Sequence, residues 1–78
     1  MNSADYEITD KQREACAIMV MQRVVEKYAE SHHCSIDTAI GLFVESVTYR
    51  GLFDFSTGLW AEGPDYIQFF WDNEAAQD

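Results

Sequence analysis

Apolar residues recur at spacings of three and four in the first third of the chain, a pattern typical of a helix with one buried face. The residues on this face are Ala17, Val20, Met21, Val24 and Tyr28. Thr9 precedes the pattern and Gln12 follows three residues later, so the pair fits a capping box. The sequence therefore predicts a helix over residues 10–31. Residues 15–21 are apolar on every side, which places Met19 near the polar face, and we expect another surface to cover it.

A second periodic segment follows Ser35, whose hydroxyl can cap a helix. The predicted inner stripe comprises Ile36, Ala39, Ile40, Phe43, Val44 and Val47. Gly51 is a typical helix stop, so we predict a helix over residues 36–50. The connection at residues 32–35 is short and favours antiparallel packing against the first helix. Leu42 and Tyr49 lie two turns apart on its outer side.

The segment after Gly51 allows two interpretations. In the first, residues 52–55 form a short helix, residues 56–63 form turns, and a last helix starts at Pro64 and ends near residue 73. In the second, aromatic residues within 53–71 form a hairpin, because aromatic residues favour strands. We expect an all-α fold, a compact bundle of three to four helices. The alternative is an α+β fold of two helices with a C-terminal β-hairpin.

The last predicted helix carries three consecutive aromatic residues, Phe69, Phe70 and Trp71. A helix turns by about 100° per residue, so no single face can bury all three. We expect Tyr66, Phe69 and Phe70 to point inward. Ile67 and Trp71 would then form a second, exposed face, and exposed apolar patches usually mark partner sites.

Charge is strongly biased along the chain. Fourteen acidic residues against five basic ones give a net charge of −9, which repels nucleic-acid backbones and anionic membrane surfaces. We therefore expect no direct binding to nucleic acid and no membrane binding. Residues 51–78 contain no lysine or arginine. The acidic surface predicted there comprises Asp54, Glu62, Asp65, Asp72 and Glu74.

A length of 78 residues corresponds to one domain. We expect an N-terminal arm over residues 1–8, which are polar and aperiodic, and a single helical domain over residues 9–78. The start lacks the features of a signal peptide and no run approaches the roughly 20 apolar residues of a membrane span, so a cytoplasmic location is expected. Cys16 and Cys34 are too few for a disulfide framework and are predicted to be reduced, packed thiols.

Two short stretches resemble a small bacterial domain family of unknown function. They are Gly-Leu-Phe-Asp-Phe at residues 51–55 and Leu-Trp-Ala-Glu-Gly-Pro-Asp-Tyr-Ile at residues 59–67. In that family two helices precede a Gly-hydrophobic-Phe-Asp-aromatic element, and a Leu-His-Thr-x-Gly-x-acid-Tyr-Ile stretch opens the last helix. The matching residues of the second stretch are Leu59, Gly63, Asp65, Tyr66 and Ile67.

The resemblance covers about residues 15–71 and has two departures. Trp60 and Ala61 replace the family's histidine and threonine, so no role of that histidine carries over. The segment between Phe55 and Leu59 is shorter by about one helical turn. The resemblance implies an all-helical fold. The family's genes often neighbour a gene for an ADP-ribosyltransferase-like protein, which implies a regulator or antitoxin-like role.

Candidate chemistry is weak throughout. The run His32-His33-Cys34 lacks a second Cys/His cluster to complete a metal site, so it is interpreted as an inter-helix loop. Asp5, Glu7 and Asp10 lack the rest of a calcium loop. Residues 56–63 contain turn glycines but no Gly-Lys-Ser/Thr phosphate motif, and Asp54 with Glu62 has no cleft in which to work as an acid–base pair. We expect no metal, no cofactor and no enzymatic activity.

Two functions from different classes fit these observations. The first is an acidic, non-catalytic protein-binding module, a regulator or antitoxin-like partner of a neighbouring gene product, which also forms a homodimer. The expected partner-binding residues are Met19, Leu42, Tyr49, Trp60, Ile67 and Trp71. The alternative is a nucleic-acid mimic that inhibits a bacterial defence nuclease by presenting spaced carboxylates.

Overall fold

The computed structural model describes residues 8–76, and this part of the chain is all-α. Its four helices are α1 (Asp10–His32), α2 (Ile36–Val44), α3 (Val47–Phe53) and α4 (Pro64–Ala76), with 3₁₀ turns at Phe55–Thr57 and Leu59–Ala61 between α3 and α4. No strand occurs among residues 8–76, so the predicted helical bundle is confirmed and the hairpin is wrong. Of the expected N-terminal arm, residues 1–7 lie outside the described part.

The boundaries of α1 follow from local capping, as predicted. The Thr9 hydroxyl accepts a hydrogen bond from the Gln12 backbone N–H at 3.2 Å, and the Gln12 side chain accepts one from the Thr9 N–H at 2.8 Å. The helix ends at His33, whose left-handed backbone (φ 55°) turns the chain. Ser35 then caps α2 by accepting the Thr38 N–H at 3.0 Å. The connection is therefore short, and α2 packs against α1.

The predicted single helix over residues 36–50 is wrong, because it is interrupted after Val44. Ser46 is buried and caps a new helix: its hydroxyl accepts the Tyr49 N–H at 3.0 Å and donates to the Phe43 carbonyl. Gly51 is not a stop but lies inside α3. A Cβ atom there would lie 3.0 Å from Leu59 Cδ1, so glycine lets the second 3₁₀ turn approach α3.

The core is small and centres on one tryptophan. Its buried apolar residues are Ala17, Val20, Val24, Val25, Ala29, Ala39, Phe43, Leu52, Ile67 and Trp71. The Trp71 ring stacks on Tyr28 of α1 with centroids 4.5 Å apart and meets Phe43 of α2 edge-on at 4.9 Å. Trp71 therefore joins three helices, and offset and edge-to-face contacts of this kind stabilise aromatic clusters beyond the burial of their area.

The bundle covers only one side of α2. Ala39 and Phe43 are buried, whereas the other predicted inner residues of the second segment are largely exposed. These are Ile36, Ile40, Val44 and Val47. The expectation for the thiols was also partly wrong, since Cys34 packs against the core but Cys16 is exposed on α1. A domain of this size has too little structure to cover every apolar side chain.

Candidate functional site

The residues expected to bind a partner fall into three groups. Met19 (60% exposed) and Leu42 (45% exposed) lie on the surface, and nothing in the described part of the chain covers Met19. Tyr49 and Trp60 are half-buried and pack against the core. Ile67 and Trp71 are buried, so the prediction that these two form an exposed face of α4 is wrong.

The packing of α4 is the reverse of the expectation. Ile67 (0% exposed) and Trp71 (7% exposed) point inward, whereas Tyr66, Phe69 and Phe70 point outward. This helix has apolar residues on two sides. The helical spacing identifies both apolar faces, but it does not show which of them is buried. The slot between the Tyr28 and Phe43 rings accommodates the Trp71 indole, which decides the orientation of α4.

The outward face of α4 borders an open groove of about 550 Å³ against α3, which we call the apolar groove. Its lining residues are Val47, Thr48, Gly51, Leu59, Phe69, Phe70, Asn73 and Glu74. Val47 is 63% exposed and Phe69 is 61% exposed. Tyr66 extends this surface, because its ring lies edge-on to Phe70 with centroids 5.0 Å apart. Apart from Glu74, no lining residue carries a charge.

Glu74 is a helix cap rather than a free surface acid, which corrects its place in the predicted acidic surface. Its carboxylate accepts the Val47 and Thr48 backbone N–H groups, each at 2.8 Å, and the Thr48 hydroxyl at 2.7 Å. Burial alone would raise the pKa of Glu74. The hydrogen bonds from Thr48 and Val47, with Arg50 nearby, outweigh that cost and lower the pKa below its ordinary value. Glu74 therefore ties α4 to the start of α3.

A second open groove, of about 620 Å³, lies on another side of α4, and we call it the acidic groove. Its lining residues are Tyr28, His32, Leu42, Glu45, Ser46, Trp71, Asp72, Glu74, Ala75 and Ala76. Neither lysine nor arginine is among them. One carboxylate oxygen of Asp72 accepts a hydrogen bond from the Gln68 amide at 3.1 Å. Glu74 belongs to the walls of both grooves.

The remaining predicted acids lie on the surface without forming one cluster. Asp54 accepts the Ser56 hydroxyl at 2.7 Å and the Ser56 N–H at 3.1 Å, and these hydrogen bonds lower the pKa of Asp54. Asp65 lies 3.4 Å from Lys27 Nζ. Glu62 is exposed after the second 3₁₀ turn. Asp54 and Asp65 thus have local structural contacts that the sequence pattern did not reveal.

The histidines considered for metal or nucleophilic chemistry have structural roles. The His32 ring stacks on Tyr28 with centroids 3.8 Å apart, and His33 forms the left-handed end of α1. No group of three or more potential metal ligands occurs among the residues that the structure describes. Within residues 8–76, no helix has the length and apolar character needed to cross a bilayer. Asp5 and Glu7 lie outside the described residues.

Comparison with known proteins gives no further guide. No protein-family model matches the chain, and searches of curated proteins and of solved structures found no similar chain. The resemblance to the small bacterial domain family stays a prediction that rests on its two short stretches.

Proposed function

We propose that this chain is a non-catalytic protein-binding module that forms a homodimer through the apolar groove and binds a different protein with its acidic surface. The observation that supports it is the uncharged aromatic face of α4 beside that groove. Contiguous apolar patches are rarely left in water unless they serve an interface. Phe69 and Val47, each more than half exposed, lie on the two walls of one groove.

A second copy of the chain is the occupant that best suits the apolar groove. The exposed face of α4 consists of Tyr66, Phe69, Phe70 and Asn73, which carry no charge. Asp65 and Asp72 lie elsewhere on the helix, where they contact Lys27 and Gln68. Glu74 lines the apolar groove, but its oxygens are already hydrogen-bonded to the start of α3, so two copies can bring these faces together without opposing unpartnered carboxylates. A two-fold symmetric dimer, in which each groove meets the other, is the commonest arrangement of this kind.

The energetics set the salt dependence of such a dimer. Fully burying a phenylalanine side chain contributes roughly 1.5–3 kcal/mol, which favours association. Each copy carries a net charge of −9, and the two copies repel one another at long range. Salt screens that repulsion over a Debye length of about 10 Å at 0.1 M. We therefore expect the dimer to tighten as salt is added.

Light scattering tests the dimer, at tens of micromolar chain and at about 0.05 M and about 0.5 M salt. The wild type is expected to reach the mass of two chains, more completely at the higher salt. Phe69→Ser is expected to have the mass of one chain. Met19→Ser is the matched control, because Met19 is equally exposed but lies on α1, away from the groove.

Three results contradict the dimer proposal. One is a wild type with the mass of one chain at both salt concentrations. The second is a Phe69→Ser variant that still dimerises, and the third is a Met19→Ser variant that does not.

The different partner is proposed to be a protein regulated by this chain, as the resemblance to the bacterial family implies. Its binding is tested by purifying the tagged chain from its native cells beside two double variants, Glu45→Gln with Asp72→Asn and Asp54→Asn with Glu62→Gln. A protein recovered with the wild type and lost with one of these pairs supports the proposal. Equal recovery with all three chains, or recovery of no protein, contradicts it.

Nucleic-acid mimicry is the second candidate, favoured by the exposure of four acids. These are Asp54, Glu62, Asp65 and Asp72. A mimic presents its carboxylates together to one basic groove, so each neutralisation should weaken binding to a nuclease by a similar amount. A localised interface instead predicts that one pair matters and the other does not. The two double variants thus distinguish the candidates.

A further inference from the structure

We infer that Glu74 is a positioning residue for the homodimer: by capping α3 from α4, it holds the two walls of the apolar groove in the arrangement that a second copy binds. This inference rests on the proposed function, since it concerns the same groove and the same partner. One wall of the groove belongs to α3, and the opposite wall belongs to α4, which carries Glu74.

The first turn of α3 is held by two caps that come from different parts of the chain. The Ser46 hydroxyl accepts the Tyr49 N–H at 3.0 Å, which is a local contact. The Val47 and Thr48 N–H groups donate to Glu74, each at 2.8 Å, and the Thr48 hydroxyl donates to it at 2.7 Å. The first N–H groups of a helix have no partner within that helix. Glu74 therefore supplies what the local cap does not reach.

Val47 connects this cap to the dimer surface. It is the first residue of α3, and it lines the groove with 63% of its surface exposed. A helix of seven residues is too short to be stable in water by itself, so the direction of its first turn depends on contacts with the rest of the fold. The other end of α3 is positioned by the close approach of Gly51 to Leu59. Glu74 fixes the end that carries Val47.

The charge of Glu74 and its hydrogen bonds predict opposite effects on the dimer. If Glu74 acted only as a charge on the wall, two copies would bring like charges near one another, and neutralising it would tighten the dimer. If Glu74 acts through the cap, its loss frees Val47, which must be ordered again when the copies associate. Ordering of interface side chains and loops opposes binding. A two-fold dimer contains two such grooves, so this cost arises twice.

The test measures the dissociation constant of the dimer by sedimentation equilibrium of the full-length chain at about 0.5 M salt, where repulsion between the copies is screened. Glu74→Gln removes the charge and one acceptor oxygen. Glu74→Asp keeps the charge on a side chain that is one methylene shorter. We expect both variants to weaken the dimer by about tenfold. Amide hydrogen exchange at Val47 and Thr48 should also become faster in both variants, because the first turn of α3 opens more often.

Val25→Ala is the control for a general loss of stability. Val25 is buried in α1 and does not line the groove, so its truncation should lower the stability of the fold and leave the dissociation constant unchanged. Circular dichroism checks that each variant keeps the helix content of the wild type.

Three results overturn the inference. They are a Glu74→Gln variant that dimerises as tightly as the wild type or more tightly, a Glu74→Asp variant with the wild-type dissociation constant, and a Val25→Ala variant that weakens the dimer as much as these two. A wild type that does not dimerise contradicts the proposed function itself. A wild-type dimer that tolerates the loss of Glu74 contradicts this inference alone.

Discussion

The two grooves beside α4 are similar in size and opposite in chemistry. The apolar groove, about 550 Å³, exposes Phe69 and Val47 and has no free charge. The acidic groove, about 620 Å³, contains the exposed carboxylates of Glu45 and Asp72. Glu74 lies at the boundary of both, and its charge is used internally by α3. One short helix therefore separates an apolar surface from an acidic one.

This difference shows that the net charge of −9 does not describe each surface of the molecule. A helix distributes its side chains around an axis, so positions 66, 69, 70 and 73 share one side whatever the charge of positions 65 and 72. Repulsion between copies is then compatible with an apolar contact on the uncharged side. The carboxylates of Glu45 and Asp72 lie on the other side, in the acidic groove. The two kinds of binding can coexist on one small domain.

The largest expected effect comes from the buried side of α4. Trp71→Ala should lower the free energy of unfolding by about 3–5 kcal/mol, because it empties the slot between the Tyr28 and Phe43 rings. Phe69→Ala, two residues away on the exposed side, should change the free energy of unfolding of the monomer by at most about 0.5 kcal/mol. Urea denaturation at protein concentrations too low for dimers to form measures the free energy of unfolding of both variants. Similar losses for the two variants would refute the assignment of the faces.

The next largest effect on stability is expected at Glu74, which lies at the boundary of the two grooves. Glu74→Gln is expected to cost about 1–2 kcal/mol of stability, because an amide has one acceptor oxygen and turns an N–H donor toward donors of α3. Asp72→Asn is the control: it removes the same charge two residues earlier, where the carboxylate lies on the surface, and should cost less than about 0.5 kcal/mol. Thermal denaturation of the three chains compares them. Equal losses for both variants would mean that the cap does not stabilise the fold.

The Glu74 carboxylate should also make the stability of the fold depend on pH. The pKa of Glu74 is lowered in the folded chain, so its stabilising contribution is complete above its ordinary value of 4.5 and is lost as the pH falls through the lowered pKa. The difference in stability between the wild type and Glu74→Gln should therefore shrink on acidification below 4.5. Urea denaturation of both chains over this range measures it. A difference that stays constant in acid would contradict the assigned cause.

The smallest expected effect lies in the acidic groove. Glu45 is the C-cap of α2, where the helix dipole disfavours a negative charge. It also precedes α3, but Glu74 already accepts the first N–H groups of that helix. Glu45→Gln should therefore raise the free energy of unfolding by about 0.3–0.5 kcal/mol at low salt and by less at high salt. Denaturation at the two salt concentrations checks this. A loss of stability would show that Glu45 supports the fold rather than a binding surface.

Local signals in the sequence predicted the helix boundaries that depend on near neighbours. Thr9 with Gln12, Ser35 and Pro64 were predicted at the positions that they occupy, because a cap involves residues within about four positions of one another. The break at Ser46 had a signal too, since serine is a good cap, but the continuing apolar pattern concealed it. No local sequence signal indicated the cap supplied by Glu74, because 26 residues separate Glu74 from Thr48.

The sequence by itself favoured the helical class over a C-terminal hairpin, and it determined the excess of acid and the fact that α4 has more apolar residues than one face can bury. Only the tertiary structure decided that Ile67 and Trp71 are buried while Phe69 and Phe70 are exposed. The physical reason is that both sides of α4 gain similar free energy on leaving water, so periodicity leaves the rotation of the helix open. The shape of the space between α1 and α2 selects the side that carries the indole.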